Sequence, residues 1–174
     1  MIHDRINYQT RWIVRRFADD AAFTAGVPTP VVDPVTGGIL PAISEIEGNL
    51  LLNEGIGELW DLACGLGTPG AFDNTNSQIG VGDSTTSESA TQTGLQASTN
   101  KLYKAVEAGY PQRSAQTVTW RAIFGSGDAN FAWQEFTVAN GNSDAAVNLN
   151  RKVSNQGTKA SGQTWTLDLQ ITLS

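Results

Sequence analysis

From Gln163 to Ser174 the chain alternates with a period of two. Trp165, Leu167, Leu169, Ile171 and Leu173 fall on one face, and Thr164, Thr166, Asp168, Gln170 and Thr172 on the other. That period belongs to a β-strand with one face buried. Val118, Trp120, Ala122 and Phe124 alternate with Thr117, Thr119 and Arg121 in the same way. Strands are predicted at about 77–82, 101–107, 115–124, 130–139, 145–153 and 163–173. Turn clusters such as Gly125-Ser126-Gly127-Asp128 and Asn140-Gly141-Asn142-Ser143-Asp144 separate them. Phe131 and Trp133 share a parity that Phe136 and Val138 oppose, which predicts a β-bulge near Gln134 and Glu135. Short strands without intervening helices indicate a mainly β chain, an antiparallel β-sandwich or jelly-roll-like body.

One segment has the helical period instead. Leu52, Ile56, Leu59, Trp60 and Ala63 recur at i, i+4, i+7, i+8 and i+11, with Asn53 as N-cap, Glu54 in the first turn and Gly65 as the stop. A helix is predicted over about 53–64, its apolar stripe against the body and Cys64 buried at its end.

The first 45 residues are predicted to stand apart from the body, residues 46–174. Tyr8 to Phe17 is strand-like in composition and fit to pair with an edge. Residues 26–41 contain four prolines, which forbid helix and withhold ladder donors. Fixing about 18 such residues costs on the order of 20 kcal/mol, which calls for several hundred Å² of apolar contact at about 25 cal/mol per Å². The expectation is an extended N-terminal arm that orders on neighbouring subunits.

Charge sharpens that expectation. Residues 1–16 carry +3, residues 18–100 contain eleven carboxylates and no lysine or arginine, and residues 101–174 carry +2. An acidic middle and a basic arm suit contact between copies. No continuous basic face is available for a phosphate backbone, so nucleic-acid binding is disfavoured. The apolar runs are far shorter than the roughly 20 residues that span a bilayer, and the first residues lack a secretory signal. With Cys64 and His3 as the sole cysteine and histidine, a zinc site or a His-dependent nucleophile is disfavoured, and no cofactor is expected.

The remaining motifs are read as structural. Gly65-Leu66-Gly67-Thr68-Pro69-Gly70 matches G-x-G-x-x-G but follows a helix, the reverse of the dinucleotide fingerprint. Asp73-Asn74-Thr75-Asn76-Ser77 lacks the glycine and terminal glutamate of a calcium loop and reads as an Asx-rich turn. Residues 84–99 hold nine serines or threonines and read as a surface loop. Glu107, Asp128, Glu135 and Asp168 have no spacing that marks a catalytic pair, so cross-strand pairing or solvation is their expected role. At least four of the five tryptophans fit core parity.

Glu47-Gly48-Asn49-Leu50-Leu51-Leu52-Asn53-Glu54-Gly55, Ile79-Gly80-Val81-Gly82-Asp83-Ser84-Thr85-Thr86, Gln92-Thr93-Gly94-Leu95-Gln96 and Lys101-Leu102-Tyr103-Lys104 form a distinctive set. Asn130-Phe131-Ala132-Trp133-Gln134-Glu135-Phe136 and Leu149-Asn150-Arg151-Lys152-Val153 complete it. As a set they resemble small virion structural proteins of tailed bacteriophages and prophages, over residues 46–174. The resemblance implies a non-enzymatic part of the virion, with a capsid cement or decoration protein favoured. It further implies the major capsid protein as partner and self-association, often as a trimer, with neither nucleic acid nor membrane engaged. Trp12, Arg15, Arg16, Phe17 and Ile39 are the expected contact residues. A receptor-binding module of the tail tip or baseplate is the alternative.

Overall fold

The computed structural model describes residues 7–174. His3 and Arg5 lie outside them. The chain is mainly β, with 38% strand and 10% helix. Its elements in order are β1 (Tyr8–Phe17), α1 (Asp20–Thr24), β2 (Val31–Val32), β3 (Ile39–Leu40), β4 (Ile43–Glu47), β5 (Leu50–Leu51) and α2 (Asn53–Cys64). Then come β6 (Gln78–Gly82), β7 (Lys101–Ala105), β8 (Gln112–Ser114), β9 (Thr117–Phe124), β10 (Glu135–Ala139), β11 (Asn150–Val153) and β12 (Thr164–Leu173). Two five-stranded antiparallel sheets result, ordered β4-β1-β12-β9-β8 and β5-β11-β10-β6-β7, with β2 and β3 forming a separate hairpin. This is the predicted β-sandwich.

The alternating residues fill the space between the sheets. Trp12 and Val14 of β1, Trp120 and Phe124 of β9, and Trp165, Leu167 and Leu169 of β12 meet Ile79, Val81, Phe136 and Val138 of the other sheet in one core. Trp133 sits at its centre, with ring centroids 4.8 Å from Phe124 and 4.9 Å from Trp165. Before β10 the chain runs irregularly from Trp133 to Glu135. Trp133 and Phe136, three residues apart, are therefore both fully buried, as the parity change required, although no regular strand precedes Glu135.

The free N-terminal arm is not what the described residues form. β1 pairs with β12 over all ten of its residues and with β4 on its other side, so it is an interior strand of its sheet. The physical reason lies in its own alternation: Trp12 and Val14 stand opposite Leu169 and Leu167 on the inner face and complete the core. On the outer face of β12, Thr164, Thr166 and Asp168 are buried as well, against the half-buried expectation, while Gln170 and Thr172 are half-buried. Asp168 accepts hydrogen bonds from Arg121 Nε at 2.7 Å and Nη2 at 2.6 Å and from Arg15 Nη1 at 2.7 Å, one arginine from each flanking strand. The predicted role of Asp168 in cross-strand pairing holds.

Glu135 has the same kind of role, in a dry setting. It forms a fully buried ion pair with Arg151 at 2.6 Å, and its carboxylate also accepts the backbone N–H groups of Gln96 and Ala97. Arg151 donates to Thr86 O and Gln92 Oε1, while Glu88 accepts from Val153 N. The Ser/Thr-rich segment 84–99 is thus strapped to the sheet, with Leu95 and Ala97 buried, and is no free surface loop. A buried carboxylate and guanidinium need all these partners, because each unpaired charge would cost several kcal/mol.

Candidate protein interface

α2 covers the span expected of it, but its seat on the body differs. Leu52 is the extended residue before the helix and makes no side-chain cap, so Asn53 is the first helical residue and not the N-cap. Gly65 closes the helix in the left-handed region at φ 65°, its N–H bonded to Asp61 O. The contact with the body runs along Glu54, Gly55 and Glu58. A Cβ on Gly55 would lie 2.4 Å from Leu149 O, so only glycine allows the helix backbone this close to the chain before β11. Glu54 Oε1 accepts Asn148 N at 2.9 Å. Glu58 Oε1 accepts Gly70 N at 2.6 Å and Asn140 Nδ2 at 3.0 Å. Burial raises the Glu54 carboxyl above its usual range, against the N–H donors that pull it down.

The consequence is an amphipathic helix docked by its polar side. Ile56, Leu59, Trp60 and Ala63 face solvent, with Trp60 64% exposed. The predicted apolar stripe is real, and its predicted direction is reversed. Cys64 is exposed too, not a buried small residue. Leu62 and Leu66 extend the apolar surface.

A second apolar surface lies on the β2–β3 hairpin. Asp33, itself buried, organises the loop: Oδ1 accepts Val35 N at 2.8 Å and Thr36 N at 3.2 Å, and Oδ2 accepts Thr158 N at 3.0 Å, tying the hairpin to the body. Burial works to raise the Asp33 carboxyl, and these three backbone N–H groups outweigh it and hold it below the usual range. Val31 points to the core, while Val32, Val35 and Ile39 project outward, Val35 at 77% and Ile39 at 70% exposure.

The five expected contact residues divide unevenly. Trp12, Arg16 and Phe17 are buried and offer nothing to a partner. Trp12 belongs to the core, and Phe17 packs edge-on against Phe23 of α1 at 5.2 Å. Arg16 points inward, donating to Pro41 O, Ser44 Oγ and Gln156 O with its guanidinium 4.6 Å from the Trp165 ring centroid. Burial lowers its pKa to about 10. Arg15 is held by Asp168, and Arg11 reaches Glu45 at 3.1 Å. The three described arginines of β1 thus all have partners within the chain. Ile39 alone is freely exposed.

No protein family, curated protein or solved structure matches the chain. Its surface must therefore speak for itself. Eleven of the twelve large hydrophobic side chains that are exposed among the described residues lie between Val27 and Leu66, the exception being Leu173. Scattered exposed leucines are ordinary, but seven of the eleven lie on one hairpin and one helix, surface of the kind that a partner would cover. Val32 and Val35 belong to the apolar surface that the proline-rich stretch was expected to offer a neighbour, whereas Ile56, Leu59 and Trp60 were expected against the body, and one signal pointed the other way: Gly55 and Gly57 weaken a helix unless a close backbone approach or a surface position requires them.

Other chemistry is sparse. Among the described residues no group of three His, Cys, Asp or Glu side chains could hold a metal, and no helix is long and apolar enough to cross a membrane. Asp73 Oδ1 is occupied by Thr75 N and Asn76 N, the expected Asx turn. Gly65 to Gly70 is a loop leaving the helix, as its order implied.

Proposed function

We propose that this chain is a structural subunit of a bacteriophage virion, a capsid cement or decoration protein that binds across adjacent major capsid proteins. One observation carries the reading: the body has a complete core of its own, yet α2 and the β2–β3 hairpin turn apolar side chains outward. The motif set in residues 46–174, which resembles small virion proteins, supplies the biological setting. The mechanism is adhesive. Each copy buries its hairpin and helix faces against neighbouring capsid subunits, at about 25 cal/mol per Å² of apolar surface removed from water, and so opposes their separation under internal pressure. The contact surface is then α2 and the hairpin, with Ile39, in place of β1. Self-association as a trimer belongs to the same reading and is tested by sedimentation of the purified chain.

Quantitative mass spectrometry of purified particles tests the role. A copy number comparable to that of the major capsid protein is expected. A few copies per particle would contradict it and would favour the tail-tip or baseplate module.

A further inference from the structure

We propose that Asn140, followed by Gly141, is a site of spontaneous deamidation, and that the acid formed there releases α2 from the body. The site concerns this chain alone and stands apart from the structural-subunit reading. Asn140-Gly141 is the one Asn-Gly pair in the sequence, and its place in the fold gives it a consequence.

The half-buried Asn140 side chain latches α2 to the loop between β10 and β11. Its Nδ2 donates to Glu58 Oε1 at 3.0 Å and to Gly70 O at 2.9 Å, and its Oδ1 accepts Val147 N at 3.0 Å. Two of these three bonds need the amide, because an aspartate at neutral pH has no side-chain N–H to give. Gly141 is required for a separate reason: a Cβ there would lie 2.8 Å from Ala146 Cβ. The fold thus sets a residue without a side chain directly after the latch, and nothing on that residue hinders the approach of its nitrogen to Asn140 Cγ. Among the described residues no group accepts a hydrogen bond from Gly141 N.

The reaction needs only water. The Gly141 nitrogen loses its proton and bonds to Asn140 Cγ, the Cγ–Nδ2 bond breaks, and the amide nitrogen leaves with that proton as ammonia. Water then opens the succinimide at either carbonyl, to aspartate or to isoaspartate. In the aspartate form a carboxylate meets the Glu58 carboxylate and the Gly70 carbonyl, with no donor left between them. Isoaspartate also lengthens the main chain of the loop by a methylene. The bonds that the reaction destroys are those that hold the amide still, so the reaction waits on local opening of the latch.

The test ages the purified full chain at mildly alkaline pH and follows the tryptic peptide 122–151 by mass spectrometry. The peptide is expected to gain the mass of an amide turned into an acid, at Asn140, with fragment masses separating that residue from Asn142. Glu58→Ala removes one partner of the latch and should speed the gain about tenfold. Asn140→Asp installs the product directly. At neutral pH it should raise amide exchange within residues 53–64 about tenfold over the parent chain, and that ratio should shrink as pH falls through about 4, where carboxylates take up protons. A mass gain at other asparagines with none at Asn140, equal rates in the parent and in Glu58→Ala, or unchanged α2 exchange in Asn140→Asp would overturn the proposal.

Discussion

β1 and α2 are elements of ten and twelve residues, each with a stripe of large apolar side chains, and the two stripes meet opposite fates. The strand buries Trp12 and Val14 completely; the helix leaves Ile56, Leu59 and Trp60 in solvent. What separates them is backbone bonding. β1 must pair on both sides, and its ladders to β12 and β4 fix a register in which Trp12 and Val14 face the core. A helix satisfies its own backbone and is free to rotate, so the strongest local anchors decide which side it presents. In α2 those anchors are the close approach at Gly55 and the carboxylates of Glu54 and Glu58. Apolar periodicity fixes the type of element, but not which side of a helix meets the body.

Substitutions can break this contrast. The largest effect is expected for Trp12→Ala, a loss of about 3–5 kcal/mol in denaturant unfolding, whereas Trp60→Ala should change stability by less than about 0.5 kcal/mol. Equal losses would mean that α2 is packed by its apolar side after all. Arg151→Met comes next, since it strands the Glu135 carboxylate in the core, and about 3 kcal/mol is expected together with proteolytic cleavage within residues 84–99. Intact resistance of that loop would show that the ion pair does not hold it.

Gly55→Ala sharpens the comparison further. Its methyl would run into the backbone of Leu149, and a cost of about 1–3 kcal/mol should appear with faster amide exchange confined to residues 53–64. Unchanged exchange would show that α2 does not depend on this approach. Asp33 gives the smallest effect and a pH signature. Because its folded carboxyl lies below the usual range, its contribution is present above the unfolded pKa of about 4 and is lost as pH falls through the lower folded value. Asp33→Asn should therefore flatten the acid limb of the stability profile between those two values, and a limb of unchanged slope would contradict the three N–H bonds assigned to that carboxylate.

Much of the body was legible because β periodicity is strict: the parity of Trp165, Leu167 and Leu169 gave the inner face of β12, and the parity change between Trp133 and Phe136 gave the irregular entry to β10. The helix span was legible from its period and from Gly65. The place of β1 was obscured because the proline-rich residues that follow suggested an appendage. Its pairing with β12 spans nearly the whole chain, and no local pattern encodes such a contact. The strap through Glu135 and Arg151 was hidden for the same reason, since the polar composition of residues 84–99 carries no trace of two distant charges beneath it. The exposed face of α2 is hidden in the sequence because an apolar stripe implies burial, while the glycines and glutamates that turn the helix around resemble ordinary surface residues.

Thiol labelling of Cys64, the sole cysteine, tests the central claim most directly, because it is exposed at the end of α2. The reagent should modify the free chain quickly and the particle-bound chain slowly, as the outward face of the helix becomes covered. Equal labelling rates in the two states, or a thiol already inaccessible in the free chain, would contradict the account.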